Sequence, residues 1–405
     1  MRKFLLPAII GLLFISCSRD DSTTIEYQLA TAVTAPLSDV RDLVSVEPPQ
    51  QIVQSGKMYS YGNYIFVNDD NEGVHVIDNT NPEAPQKLKF LRIPGNSDIS
   101  IKDNFLYADS YVDLVVFDIT EITTITFVDR LENVFPTYNF EFPDNADSVD
   151  ISEVDFESEI IVDWVITTES YTISGGDEAV ALDAGDAGGT GTGGSLARFT
   201  IVDQYLYAVD FSNLYTFDIS NLTNPVDLGY TGIGWNIETL FSDGDYLYIG
   251  SAAGMFIYGL QDPTSPNYLS EVRHMLGCDP VVVKGDYAFV TIRGGNQCGQ
   301  PLSQLDVINI ANRQQPYIET SIEMAEPYGL GIHENDLYVS DGPNGLIQFD
   351  ISDPASIYQL TSFPDIVILD VIPLPDKLLL IGDNVLYQYA YGENDLIPIS
   401  TFNLN

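Results

Sequence analysis

Basic residues are scarce in this sequence of 405 residues. It contains 16 Lys and Arg against 59 Asp and Glu, which gives a formal net charge of −43. A field of this sign repels the phosphates of nucleic acids and the headgroups of anionic lipids. We therefore exclude nucleic acid as a partner.

Histidines and catalytic motifs are also scarce. The three histidines, His75, His274 and His333, lie in different parts of the chain. Neither GxSxG nor HExxH nor a Walker-type phosphate-binding sequence occurs, so no triad, zinc site or nucleotide site is indicated. We therefore predict that the protein is not an enzyme.

Long apolar runs are missing except at the N-terminus. Arg2 and Lys3 precede an apolar run at residues 4–15, which is too short to span a bilayer comfortably and is typical of a cleaved signal peptide, residues 1–16. Ser16 followed by Cys17 resembles a bacterial lipobox, which implies that Cys17 is lipidated and becomes the new N-terminus. The alternative is an ordinary signal peptide with an incidental cysteine.

The residues after Cys17 indicate a location. Asp20 and Asp21 resemble the surface-export signal of Bacteroidota lipoproteins. The resemblance implies a protein that is attached to the outer membrane by its N-terminal lipid and exposed at the cell surface. Residues 17–54 are then expected to form a lipidated tether and linker.

A repeat of about forty residues runs through the rest of the chain. Each unit has an aromatic or apolar marker in a strand-like run, and a second apolar run follows. The markers are Phe66, Tyr107, Tyr207, Tyr248, Phe289, Tyr338 and Leu380, spaced 41, 100, 41, 41, 49 and 42 residues apart. Short aromatic and β-branched runs at this period predict an all-β fold, a β-propeller over residues 55–405. We predict seven four-stranded blades, although six or eight stay open.

The units also predict where the strands lie. In the second unit we expect strands at residues 98–102, 104–109, 113–119 and 122–130. The innermost strand of the first blade is expected at 55–61, and the outermost strand of the last at 396–405. The aromatic markers are expected to be core residues, because each blade must bury its faces against its neighbours.

Two phrases carry a resemblance to a known family. They are LVVFDI at residues 114–119 and GLIQFDISDP at residues 345–354. Both resemble the LVIVD repeat, which forms β-propellers in Bacteroidota lipoproteins. The resemblance implies a fold and a surface location, and it implies no defined reaction.

Two long segments interrupt the repeat. Residues 131–195, between the second and third units, are rich in Asp and Glu, have no basic residue and end in a Gly-rich stretch. We expect an acidic insertion there, on the face that also carries the long loop 291–304. Cys298 in that loop and Cys278 before the fifth unit are predicted to form a disulfide; two free thiols or a metal pair are the alternatives.

Aspartates recur where the second strand of a unit ends. Asp69, Asp210, Asp341 and Asp383 share this position, and Asp109 lies one place earlier in its unit. A ring of carboxylates is a candidate Ca²⁺ site, because Ca²⁺ prefers oxygen ligands. The alternative is that each Asp accepts hydrogen bonds from local backbone N–H groups in a repeated turn.

These features favour a binding or scaffolding function. From the propeller fold, the long loops and the lipid anchor, we predict a non-catalytic protein that holds a protein or glycan partner at the outer membrane. The alternative is a hydrolase or lyase that acts on polysaccharide through carboxylates at the central channel.

Overall fold

The structure, a computed structural model, describes residues 22–136, 143, 145–174, 197–273, 280–294, 302–393 and 395–405. Regular structure in these ranges is nearly all β-strand, as the composition of the repeats predicts. No helix within the described ranges has the length and apolar character needed to cross a membrane.

Seven antiparallel sheets follow one another along the described chain, the first with five strands and the others with four. The first sheet contains β2 (Ser45–Glu47), β3 (Ser55–Tyr61), β4 (Tyr64–Asp69), β5 (Gly73–Asp78) and β6 (Gln86–Arg92). The second contains β7 (Ile99–Lys102), β8 (Phe105–Ser110), β9 (Asp113–Asp118) and β10 (Thr126–Leu131). The third contains β13 (Phe199–Val202), β14 (Tyr205–Val209), β15 (Asn213–Asp218) and β16 (Val226–Gly232).

The remaining four sheets have the same order of strands. They comprise β17 (Ile237–Asp243), β18 (Tyr246–Ser251), β19 (Gly254–Gly259) and β20 (Asn267–Arg273); β21 (Val281–Lys284), β22 (Tyr287–Ile292), β23 (Ser303–Asn309) and β24 (Tyr317–Met324); β25 (Leu330–His333), β26 (Asp336–Ser340), β27 (Leu346–Asp350) and β28 (Tyr358–Phe363); and β29 (Asp370–Pro373), β30 (Lys377–Gly382), β31 (Val385–Tyr391) and β32 (Leu396–Asn403).

Local turn chemistry explains most of the hairpins. In the first six sheets the first two strands are joined by a two-residue turn that begins with a left-handed residue, as at Gly62, Asp103 and Gly244. Such turns match the twist of paired strands. The Asp that ends the third strand accepts the N–H two residues later, as Asp118 accepts from Thr120, and this bond directs the chain into the next turn.

The core lies between neighbouring sheets. The markers Phe66, Tyr107, Tyr207, Tyr248 and Phe289 are fully buried, which confirms their predicted role as core residues. The hydroxyl of Tyr107 donates to the carbonyl of Leu222 in the next sheet at 2.9 Å, and that of Tyr207 to Pro263 at 2.8 Å. Each of these two tyrosines therefore packs against the neighbouring sheet and satisfies its own hydroxyl there.

The sheets contact one another in a closed cycle. The first strands of successive sheets touch, from β3 to β7, β13, β17, β21, β25 and β29, and β29 touches β3 again. Last and first sheets also share hydrogen bonds: Ile52 N–H donates to the Leu404 carbonyl at 3.2 Å, and the Asn79 and Gln388 side-chain amides bond each other at 2.9 and 2.7 Å. These first strands are therefore the innermost ones.

The segment expected to be a tether and linker contains regular structure. β1 (Ser22–Pro36) pairs antiparallel with β12 (Glu159–Ser174) from the predicted insertion, from Ser22 opposite Ser174 to Pro36 opposite Glu159. A third strand, β11 (Ser148–Asp150), pairs parallel with the middle of β1. We call β1 and β12 the ribbon.

The base of the ribbon is fixed to the second sheet. A short helix, α1 (Leu37–Arg41), follows β1, and its Leu37 and Val40 pack on Val112 and Ile160. Arg41 forms two hydrogen bonds with the buried Asp113, at 2.8 and 2.9 Å. Further along the chain, β2 adds a fifth strand to the outer edge of the first sheet.

Candidate functional site

The central channel has two different ends. All innermost strands run in the same direction, so their first-hairpin turns lie at one end, which we call the turn face. The connections between sheets and the loops after each second strand lie at the other end, which we call the insertion face, because the chain leaves the second sheet there after Leu131. The predicted aspartates belong to the insertion face.

Asp69 is bonded within its own sheet. It accepts from the backbone N–H groups of Val53 and Gln54 and lies 3.1 Å from Nε2 of His75, which is fully buried. Burial alone would favour the protonated acid, but the bonds from His75 and the backbone prevail and lower the pKa of Asp69.

Asp210 and Asp341 are bonded in the same manner. Asp210 accepts from the N–H groups of Ser212 and Asn213 and from the Tyr215 hydroxyl at 2.6 Å. Asp341 accepts from the N–H groups of Ala325 and Glu326, both at 2.9 Å. These bonds occupy the oxygens that a cation would need.

The predicted calcium ligands do not form one cluster. The fourth of them, Asp383, bonds the side-chain amide of the adjacent Asn384. No group of three or more His, Cys, Asp or Glu side chains in the described ranges is arranged to hold a metal ion. The repeated aspartates therefore act here as turn and connection acceptors.

The other predicted site residues are cysteines. Cys17, Cys278 and Cys298 lie outside the described residues, so the lipidation and the disulfide stay predictions. Of the histidines, His75 is bonded to Asp69, and His333 stacks on Tyr391 with ring centroids 3.8 Å apart.

A cavity of about 520 Å³ opens on the channel towards the turn face. Four of the innermost strands, β3, β7, β13 and β17, contribute the residues that line it. Its hydroxyl and aromatic side chains are Tyr59, Tyr61, Ser100, Phe199, Thr200, Phe241 and Ser242. The charged side chains of the lining, Lys102, Asp103 and Asp203, lie beside the hairpin turns at the rim.

The two tyrosines of the cavity are held in place by the second sheet. The Tyr61 hydroxyl accepts from the Asn104 N–H at 3.0 Å, and the Tyr59 hydroxyl contacts the backbone of Ile101. Burial, before any other cause, raises the pKa of Tyr59. The Tyr59 hydroxyl therefore stays neutral at physiological pH, and the contacts of both hydroxyls fix both rings.

A buried ion pair lies close to the cavity residues along the chain. Lys57 precedes Tyr59 by two residues on β3, and Asp98 precedes Ser100 by two and comes just before β7. Lys57 Nζ is 3.5 Å from Asp98 Oδ2, with side chains 8% and 5% exposed. The Lys57 nitrogen has no hydrogen-bond partner within the described chain.

The ion pair is unequal. Asp98 accepts from the N–H groups of Ile99, Arg198 and Phe199, and so joins the second sheet to the third. Burial lowers the pKa of Lys57, and the nearby Asp98 only partly opposes this effect. Asp98 thus has a structural role, and Lys57 chiefly balances its charge.

The cavity presents hydroxyls and aromatic rings to a ligand. Asp98, two residues before Ser100, accepts hydrogen bonds from backbone N–H groups. Sequence reasoning directed attention to the opposite face and missed this cavity. The signal was the adjacent aromatic and hydroxyl residues in the first strand of early units, as at Tyr59–Tyr61 and at Phe241 and Ser242.

Comparisons with solved structures concern the fold. A chain of the mitotic checkpoint complex superposes with a TM-score of 0.52 at 12% identity, covering 100% of this chain and 98% of that one. The computationally designed Ika8 protein gives 0.53 at 11%, covering 87% and 88%. Hsv2 of Kluyvelomyces marxianus, a propeller, gives 0.50 at 9%, covering 87% and 100%.

Comparisons of sequence give one positive result. No curated protein matches the chain. The model of the LVIVD repeat matches residues 58–89, 95–132, 193–229 and 329–363, which belong to the first, second, third and sixth sheets. The chain therefore carries LVIVD repeats in four places, and repeats of this family form β-propellers.

Proposed function

We propose that this protein is a lipid-anchored, non-catalytic binding propeller that holds a protein or glycan partner at the outer membrane, exposed at the cell surface. In this proposal the seven sheets are the seven blades of one closed disc. The cycle of contacts between innermost strands supports it, as do the hydrogen bonds that join the last sheet to the first. A β-propeller is a rigid platform typical of binding or scaffolding proteins.

The ribbon is the observation that carries the anchoring part of the proposal. β1 starts at Ser22, five residues after the predicted lipidation site, and its 15 residues end at α1, where the ribbon joins the second sheet. An extended strand of this length spans about 50 Å at roughly 3.3 Å per residue. The lipid would therefore attach beyond the free end of the ribbon, well away from its base.

This arrangement gives the disc an orientation. The ribbon is fixed by Arg41 and Asp113 at the insertion face, so that face would be nearer the anchor. The turn face, with the channel cavity, would then be directed away from the anchor and towards partners.

Lipidation is tested in the native host. We expect the wild-type protein to incorporate a palmitate label, to fractionate with the outer membrane and to be removed from intact cells by protease. Cys17→Ser should lose the label and membrane association, whereas Ser18→Ala in the same segment should retain both. Label retained by Cys17→Ser, or a protein resistant to protease on intact cells, would contradict this part of the proposal.

Partner binding is tested by affinity capture. We expect tagged protein, recovered from detergent-solubilised envelopes, to bring down a specific protein or glycan. The competing function, polysaccharide cleavage, predicts product release on a glycan panel that is lost in Asp210→Asn or Asp341→Asn. Such turnover would overturn our proposal, and so would a capture experiment that recovers nothing specific.

A further inference from the structure

We propose that the cavity at the turn face of the channel binds an uncharged carbohydrate. The inference rests on the proposed binding function and names the ligand class for one site. The cavity of about 520 Å³ falls within the range of small-ligand pockets, roughly 300–1,000 Å³. Four neighbouring sheets contribute to it, so a ligand would contact several blades at once.

Hydroxyl groups form the polar part of the cavity. Ser100, Thr200 and Ser242 lie in its wall, and the hydroxyls of Thr200 and Ser242 are 2.9 Å apart in a mutual hydrogen bond. Each hydroxyl both donates and accepts and can rotate to suit its partner. Such hydroxyls can pair with the hydroxyls of a sugar, which also both donate and accept hydrogen bonds.

Aromatic rings form the apolar part. The rings of Tyr59 and Tyr61 are fixed by contacts of their hydroxyls with the second sheet, and Phe241 stands on β17, the fourth of the innermost strands that form the wall. Fixed rings lose little conformational entropy on binding and offer flat apolar faces. The C–H face of a pyranose ring is an apolar surface of suitable shape.

The charges around the cavity favour an uncharged ligand over a charged one. The charged side chains that line the cavity are Lys102, Asp103 and Asp203, all beside the hairpin turns, and neither Lys57 nor Asp98 is among the lining residues. A charged ligand group placed among the hydroxyls and rings would lose its hydration without gaining a charged partner. At the rim, Lys102 lies 3.9 Å from Asp103 and offsets its charge, so Asp203 leaves the rim negative and, with the net charge of −43, disfavours anions.

Titration calorimetry on the purified mature protein tests the site. The probes are uncharged hexasaccharides of β-1,4-glucan, β-1,3-glucan, α-1,4-glucan, xylan and mannan, with oligogalacturonate and alginate hexasaccharides as charged counterparts. We expect at least one uncharged probe to bind and the charged ones not to. Thr200→Val and Ser242→Ala should each weaken that binding about fivefold, because each removes one hydrogen bond to the ligand.

Ser60→Ala is the matched control. Ser60 lies on the innermost strand β3 between Tyr59 and Tyr61, is half-buried like Ser242, and does not line the cavity. The Ser60→Ala protein should bind the sugar probe with the same affinity as wild type, and all variants should keep the wild-type melting temperature. Phe241→Leu, which keeps an apolar side chain, serves as a further variant and should also weaken binding.

Three results would overturn the inference: no uncharged probe binds, a charged probe binds more tightly, or Thr200→Val and Ser242→Ala bind as well as wild type. The proposed function has a separate readout in affinity capture from envelopes. If the cavity variants still recover the specific partner while the sugar data fail, the binding function stands and the carbohydrate site does not.

Discussion

At the scale of single residues, Lys57 and Asp98 are unequal partners. We expect Asp98→Asn to lower the free energy of unfolding by about 3–5 kcal/mol, because it leaves the Lys57 ammonium buried without an anion. Lys57→Met should change it by only about 1 kcal/mol, since Asp98 keeps three backbone donors. Urea unfolding of both variants checks this, and equal losses would contradict it.

Asp113 gives a prediction that depends on pH. It is 1% exposed, and despite burial its bonds to Arg41, Asn133 and Arg130 lower its pKa. A carboxyl whose folded pKa lies below its unfolded value, about 3.9, stabilises fully above that value and loses its contribution as pH falls through the folded pKa. Asp113→Asn should therefore cost about 3 kcal/mol at pH 7.

The difference between wild type and Asp113→Asn should stay constant near neutral pH and shrink below about pH 4. Urea unfolding at a series of pH values measures it. Comparing the two proteins cancels the general effect of pH on the other acidic residues. A difference that is the same at pH 7 and pH 3 would show that the carboxylate charge is not what Arg41 and Arg130 require.

The repeated aspartates show how far residue-level prediction reaches. Their recurrence at one position of the unit could be found in the sequence, and so could the alternative that each bonds local N–H groups. Their partners could not be found. Asp69 is bonded by Val53 and Gln54, which lie between β2 and β3, whereas Asp210 is bonded by its own loop. Which N–H groups bond each aspartate depends on how the connections between the sheets pack.

At the scale of elements, the hairpins were predictable and the ribbon was not. Strands β3, β7, β8 and β9 lie within one residue of their expected positions, because apolar alternation and turn residues are local signals. The fourth strand of the second sheet begins only at Thr126, after a one-turn 3₁₀ segment. β1 pairs with β12 more than 120 residues away, and no local signal specifies such a partner.

A pair of cysteine variants tests the register of the ribbon. Thr31 stands opposite Val165, so Thr31→Cys combined with Val165→Cys should form a disulfide on mild oxidation of a Cys17→Ser protein. The matched control, Thr31→Cys with Thr167→Cys, is offset by two residues, about 7–8 Å on the diagonal, and should not. Peptide mapping by mass spectrometry distinguishes them. A cross-link in the control alone would mean a shifted register.

At the scale of the whole molecule, closure joins distant ends of the chain. Leu404, in the last few residues, is fully buried with Ile52 and Met58 of the first sheet. The sequence predicted that first and last units pack together, because each unit has an apolar face it cannot bury alone. It did not predict that β2 would add a strand to the first sheet, since three residues carry too little pattern.

Net charge sets how the stability of the whole molecule responds to ions. With a charge of −43, self-repulsion opposes the compact state, so the melting temperature should rise as NaCl is added and charges are screened. CaCl₂ and MgCl₂ at equal ionic strength should act alike, because Asp69, Asp210 and Asp341 already accept backbone hydrogen bonds. Scanning calorimetry of the mature protein measures both effects. If Ca²⁺ stabilised it beyond Mg²⁺, and chelation or Asp341→Asn removed the excess, those aspartates would bind calcium after all.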